Sequence, residues 1–232
     1  MRARDLISQF RVEVADPLVP GGNAATPDED SLWKDSELLG YLNEAQREVV
    51  RRTYPLFGRR RFPVRANDPY VRLPDDYMAQ RRVRLLDSRY TLTAVNANEL
   101  EQQIREDYGA RSYHNWENAG PGQPNVAVFD DSPGEIRLVP EPAEDDTLEL
   151  LYFRWPDLIE RMSTPLDLDH RHYMRAMLHW MKVLAYRKQD ADAMDLERAQ
   201  VFGLEFQREV DRIYGEQRRE HRRPGTVRYG GL

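Results

Sequence analysis

Asp167, Asp169, His170, His172 and His179 bring carboxylates and imidazoles close together in the chain, the side chains that bind divalent metals or relay protons. Their spacing argues against a metal centre. On a helix, positions 172 and 179 share a face whereas 170 and 172 do not. A catalytic zinc or two-metal site takes three or four convergent ligands at spacings such as H-E-x-x-H. The histidines read instead as helix-terminus or surface residues. Asp75-Asp76 and Asp130-Asp131 stand in turn contexts, where acids usually cap or bond local backbone. Gly120-Pro-Gly122 is a turn rather than a phosphate cradle, because proline removes a needed N–H donor. No G-x-S-x-G, G-x-x-x-x-G-K-[ST] or G-x-G-x-x-G occurs. The absence of cysteine removes disulfide frameworks and thiolate zinc sites. The expectation is a non-enzyme with no catalytic residue, no cofactor and no metal. Its rival is a hydrolase or nuclease using the Asp167–His179 group.

Binding chemistry concentrates at the end of the chain. Residues 217–232 carry Arg218, Arg219, Arg222, Arg223 and Arg228 against one acid, with one proline, three glycines and no helical stripe. Such a segment should be extended and disordered in isolation. It reads as a solvated terminus, as a nucleic-acid arm, or as a segment that orders on a protein partner by adding Val227–Tyr229 to a sheet edge. The nucleic-acid reading is weakened because the basic, aromatic-interleaved surface of a DNA binder is not visible in the remainder. The whole chain carries −6, so the rest is more acidic still. Its 40% hydrophobic and 32% charged residues, with mean hydropathy −0.79, describe a wet surface of long loops or of polar faces that meet neighbours. No apolar run approaches the ~20 residues that span a bilayer, and the opening residues lack an apolar signal core. A soluble protein made in the cytosol, with no membrane partner, is expected.

These groups must be positioned by three kinds of element. A first helix is expected over Arg4–Val14, with Leu6, Ile7, Phe10 and Val14 inward. Asp16–Ser31, with three prolines and paired glycines, is an irregular loop. In the next helix Leu38, Leu42, Ala45 and Val49 fall at i, i+4, i+7 and i+11, with Asp35 and Glu37 suited to the positive end of the helix dipole. Trp33 closes over Leu38 as a staple if Lys34 is the cap; Asp35 is the chemically better cap. Tyr54-Pro55 ends the helix. Period two then takes over: Arg59–Val64, Tyr70–Leu73, Arg82–Leu86, Val126–Phe129, Glu135–Val139 and Leu148–Phe153 read as strands. Asn98–Asp107 reads as a short helix and Tyr113–Asn125 as a loop. Tyr173, Met177, Trp180 and Leu184 restart the helical stripe, and a last helix aligns Ala199, Phe202, Phe206, Val210 and Ile213. Two amphipathic helices on a short turn pair antiparallel and need the Leu38–Val50 helix to complete a core. Trp180 and the neighbouring methionines read as bundle interior rather than as a groove.

The fold expected is α+β: a discontinuous helical bundle from both chain ends with a β-rich insertion. The boundaries are 1–56 (with loop 16–31), 57–157, 158–216 and a basic tail, 217–232.

The string from Trp33 to Glu48, W-K-D-S-E-L-L-G-Y-L-N-E-A-Q-R-E, resembles the opening helix of tailed-bacteriophage head-to-tail adaptor (head completion, connector) proteins. Tyr70-Val-Arg-Leu-Pro-Asp-Asp-Tyr77, Arg82-Val-Arg-Leu-Leu86, Arg137-Leu-Val-Pro-Glu-Pro142 and Leu148–Pro156 follow in the family's order. The resemblance spans most of residues 1–215. It implies a structural virion protein at the head–tail interface, assembled in the host cytoplasm. About twelve copies would form a ring beneath the portal protein, extend the DNA channel and offer a platform to a downstream tail or stopper protein. DNA would pass without sequence-specific contact. By the same resemblance Arg218, Arg219, Arg222, Arg223, Val227, Arg228 and Tyr229 would bind the portal.

Overall fold

The computed structural model describes residues 1–14, 32–108, 120–168, 170–189 and 194–221. The loop expected at 16–31, the short turn between the last two helices (190–193), most of 113–125 and the tail beyond His221 lie outside the described residues. The chain forms two compact units, Pro55–Trp155 and the chain on either side of it.

The outer unit is helical: α1 (Ala3–Val14), α2 (Asp35–Thr53), α4 (Arg171–Tyr186) and α5 (Leu196–His221). α4 packs against α5, α2 and α1. In α2, Leu38, Leu42, Ala45 and Val49 are fully buried; Met177 and Phe206 are buried too, while Tyr173, Trp180, Leu184 and Phe202 are half-buried. In α1 Leu6, Ile7 and Phe10 are buried and Val14 only half so. Arg11 takes an inward place, donating to the Trp33 carbonyl at 3.0 Å and to the Asp35 carboxylate at 2.8 Å.

Trp33 is the hub of this unit. Its ring meets Phe10 and Tyr186 edge-on, at 5.7 and 5.9 Å between centroids, and its Nε1 donates to the Ala185 carbonyl. Lys34 is the N-cap of α2, and the Glu37 carboxylate accepts from the Lys34 N–H at 2.9 Å. That frees Asp35 for Arg11, which explains why the better capping residue does not cap. At the other end Tyr54 takes a left-handed conformation (φ 49°), closing the helix where Pro55 forbids a further right-handed turn.

The inner unit holds β1 (Phe57–Val64), β2 (Tyr70–Arg72), β3 (Tyr77–Leu85), β4 (Thr91–Val95), α3 (Ala97–Tyr108), β5 (Val126–Val128), β6 (Glu135–Val139) and β7 (Asp146–Arg154). They form one sheet in the order β1-β7-β3-β4-β5-β6-β2. Every pair is antiparallel except β4 with β5, and α3 lies in that parallel crossover. One face contributes Val64, Val71, Val83, Leu85, Leu92, Ala127, Ile136, Leu138, Leu148, Leu150 and Tyr152 to a single buried cluster.

Two readings of the sequence need correction. The chain has a seventh strand, β4, and β3 begins five residues before Arg82, because register shifts at Tyr77/Ala79 and Gln80/Arg82 break its period-two pattern. Residues 217–221 are not extended but continue α5. Gln217 is held there by its Nε2, which donates to the Thr53 carbonyl at the end of α2 (3.0 Å).

Candidate interaction surfaces

The end of α5 is fixed before the chain leaves it. The Tyr214 hydroxyl donates to the Arg52 carbonyl, Gln217 to Thr53, and Glu216 lies 3.5 Å from His172 on α4. Arg218 and Arg219 follow on this turn and are exposed. Arg222, Arg223, Val227, Arg228 and Tyr229 lie outside the described residues.

The histidine group is dispersed. His170 precedes α4 with its ring 5.9 Å from that of His172, while His179 stacks near Phe202 at 6.2 Å. Asp167 accepts from the Asp157 N–H at 2.8 Å, and Asp169 is outside the described residues. Among the described residues no group of three or more His, Cys, Asp or Glu is arranged to hold a metal. Burial and the Lys182 charge push the His179 imidazole below its ordinary range. His179 borders a groove of about 700 Å³ between α1, α4 and α5, whose charges are partly matched internally: Lys182 lies 2.6 Å from Glu13 and Arg175 3.8 Å from Glu209.

The remaining acid pairs serve the backbone and local partners. Asp130 accepts from the Ala97 N–H at the start of α3, and Asp131 pairs with Arg137 at 3.1 Å. Asp76 accepts from the Tyr152 hydroxyl at 2.8 Å.

Asn43 and Gln46, one turn apart on α2, grip the segment leaving the β unit. Asn43 donates to the Ile159 carbonyl (3.0 Å) and accepts from the Ile159 N–H (2.8 Å), and Gln46 donates to the Asp157 carbonyl (3.3 Å). The polar letters of the N-E-A-Q string thus act as a side-chain substitute for strand pairing.

The largest departure from the sequence reading is on the sheet face opposite the buried cluster. Register puts Arg59 beside Leu151 and Arg82, and Arg61 beside Glu149 and Arg84, so four arginines project from β1 and β3 on either side of β7. Arg81, the extra residue at the shift in β3, places its guanidinium 4.6 Å from the centroid of Phe57, whose ring also packs on Phe153 at 5.1 Å. Glu149 in the middle has a side chain only 2% exposed, against 62% for Arg61 and 38% for Arg84. Arg84 donates to it from Nε and Nη2 (2.8 and 2.7 Å) and Arg61 from Nε (3.3 Å). Burial pushes the Glu149 carboxyl up, but the Arg61 hydrogen bond and the charges of Arg84 and Arg59 outweigh it, leaving it below the usual carboxylate range. A basic, aromatic-containing surface therefore exists outside the tail, contrary to the sequence reading. The signals were R-R-R at 59–61 and R-R-V-R at 81–84, but the pairing of both strands with β7 has no local signature.

What these residues assemble is a set of charged and anchored surfaces. The family model of the SU10 adaptor protein matches residues 1–228, and the chain belongs to that family. This agrees with the resemblance to phage head-to-tail adaptors carried by its motifs. No curated protein matches the chain.

Proposed function

We propose that the protein is a structural head-to-tail adaptor that forms a ring of about twelve copies beneath the portal, extends the DNA channel and receives a downstream tail or stopper protein. Membership of the adaptor family over residues 1–228 carries this reading. Ring closure by identical subunits needs a heterologous interface, with different patches of one copy meeting the next. The arginine tail grips the portal. In support, α5 is anchored to α2 through Tyr214 and Gln217, so Arg218, Arg219 and the chain beyond start from a defined position. Each copy carries −6, and acid lining a channel repels DNA rather than holding it; a strongly basic bore overturns that last step.

The test is the native mass of the full chain, alone and mixed with its portal ring. A discrete assembly of about twelve copies in either sample is expected; a monomer that ignores the portal overturns the adaptor reading. Truncation after His221 combined with Arg218→Gln/Arg219→Gln keeps both anchors, so the subunit stays folded and loses portal docking; full docking excludes the tail as the grip. The nucleic-acid alternative predicts steeply salt-dependent DNA binding that vanishes with the tail. The hydrolase alternative predicts a tightly retained divalent metal.

A further inference from the structure

We infer that the arginine face of β1, β7 and β3 is a docking surface for carboxylates of a second copy of this chain. The inference rests on the ring reading above and assigns it one side of the contact between copies.

Charge complementarity is the first argument. The segment 55–155 contains thirteen arginines, no lysine and seventeen acids, a formal −4. Five of those arginines, Arg59, Arg61, Arg81, Arg82 and Arg84, gather on one face with a single acid, Glu149. That face is +4, which leaves −10 for the rest of the chain. A molecule so divided is complementary to its own copies and repelled, overall, by other polyanions.

The second argument is the way the arginines are held. Glu149 accepts from Arg61 on one side and Arg84 on the other, fixing two guanidiniums while neutralising only one charge. Arg59 reaches that carboxylate only through its charge, and Arg82 has no ion pair among the described residues. Guanidinium is suited to carboxylate geometry, and arginine with phenylalanine but without lysine is the composition of a protein interface.

The third argument weighs against nucleic acid as occupant. Single-strand binding platforms offer open aromatic faces to bases. Here the Phe57 ring already lies beneath the Arg81 guanidinium and against Phe153. The Debye length is about 8 Å at physiological salt, so the face steers a DNA strand little until the two are near contact.

The test compares full-length wild type with Arg59→Gln/Arg82→Gln and Arg59→Glu/Arg82→Glu, with folding checked by circular dichroism. Native mass is measured over a concentration series, with and without the portal ring. The inference expects self-association at least about tenfold weaker in the Gln variant, weaker again in the Glu variant, and relieved by salt in wild type. Portal binding by single subunits remains. In a second measurement, ¹⁴N- and ¹⁵N-labelled Arg59→Lys/Arg82→Lys protein is mixed and treated with a zero-length carbodiimide linker. Mixed-isotope cross-links from positions 59 and 82 to carboxylates are expected. Assembly unchanged in both variants, with no mixed-isotope links, overturns the inference and leaves the ring reading standing. A wild type that stays monomeric with and without portal overturns both. Binding of a labelled DNA oligonucleotide that is lost in the variants while assembly persists reassigns the face to nucleic acid and also overturns the inference.

Discussion

One face of one sheet has two fates. Over β4, β5 and β6 it carries Val95, Val128 and Val139, which pack with Leu100 of α3 into a small buried cluster. Over β1, β7 and β3 the same face carries arginines. On this face Arg137 of β6 lies 3.1 Å from Asp131, and Arg72 of the neighbouring β2 lies 3.6 Å from Asp75. In the other half five arginines have one acid among them, Glu149, which only Arg61 and Arg84 bond. The pleat is common to both, and the covered half is the one that holds the β4–β5 crossover in which α3 lies. Glu149 shows a further point. It is buried without any helix above it, by flanking arginine stems whose charged heads stay outside.

This contrast can be broken from either side. The largest effect is expected from Val128→Asp, which puts an unpaired carboxylate beneath α3 where the wild-type residue is fully buried. A loss of about 4 kcal/mol or more in urea unfolding is the expected outcome, and a loss below 1 kcal/mol shows that α3 does not seal that half. Gly58→Ala comes next. Its new methyl would collide with the Tyr152 ring, so the ring must shift, and a cost of about 1–3 kcal/mol follows from overpacking. Unchanged stability would mean that the ring has room to yield.

Glu149→Gln should lower the melting temperature at neutral pH, with a sign that pH reveals. The folded carboxyl sits below its ordinary 4.5, so its stabilisation is complete above that value and is lost as pH falls through the folded one. The wild type's advantage over the variant should therefore shrink in acid; an advantage that grows there contradicts the arginine clamp. Arg82→Ala is expected to matter least, within about 0.5 kcal/mol, because Arg82 is exposed. A large loss would show that this arginine supports the fold rather than a partner.

Much of the helical unit was legible because its information is local. The i, i+4, i+7, i+11 spacing of Leu38, Leu42, Ala45 and Val49 marks a buried stripe whatever it packs on. The sequence reads Trp33 as a staple over Leu38; its contacts with Phe10, Tyr186 and the Ala185 carbonyl come only with the tertiary fold. Asn43 and Gln46 looked like surface letters, since their partners, Ile159 and Asp157, are over a hundred residues away. In the sheet, alternation located most strands. It failed for β3, where a shift places both Arg81 and Arg82 toward the outer face although period two would separate them. It missed β4, whose five residues lie between stronger signals. The arginine face depends on a pairing between residues 59–61, 82–84 and 149–151 that no spacing rule encodes.

The β unit begins and ends as paired neighbours, with Phe57 opposite Phe153 and the Arg154 N–H donating to the Leu56 carbonyl at 3.1 Å. A module whose two ends are already side by side adds little loop-closure entropy to the host that carries it. Asn43 and Gln46 belong to the host and hold the returning chain whatever lies between. A change of length or sequence between residues 57 and 153 therefore costs the helical frame little in chain entropy, because the joint is closed by the Phe57–Phe153 pairing itself.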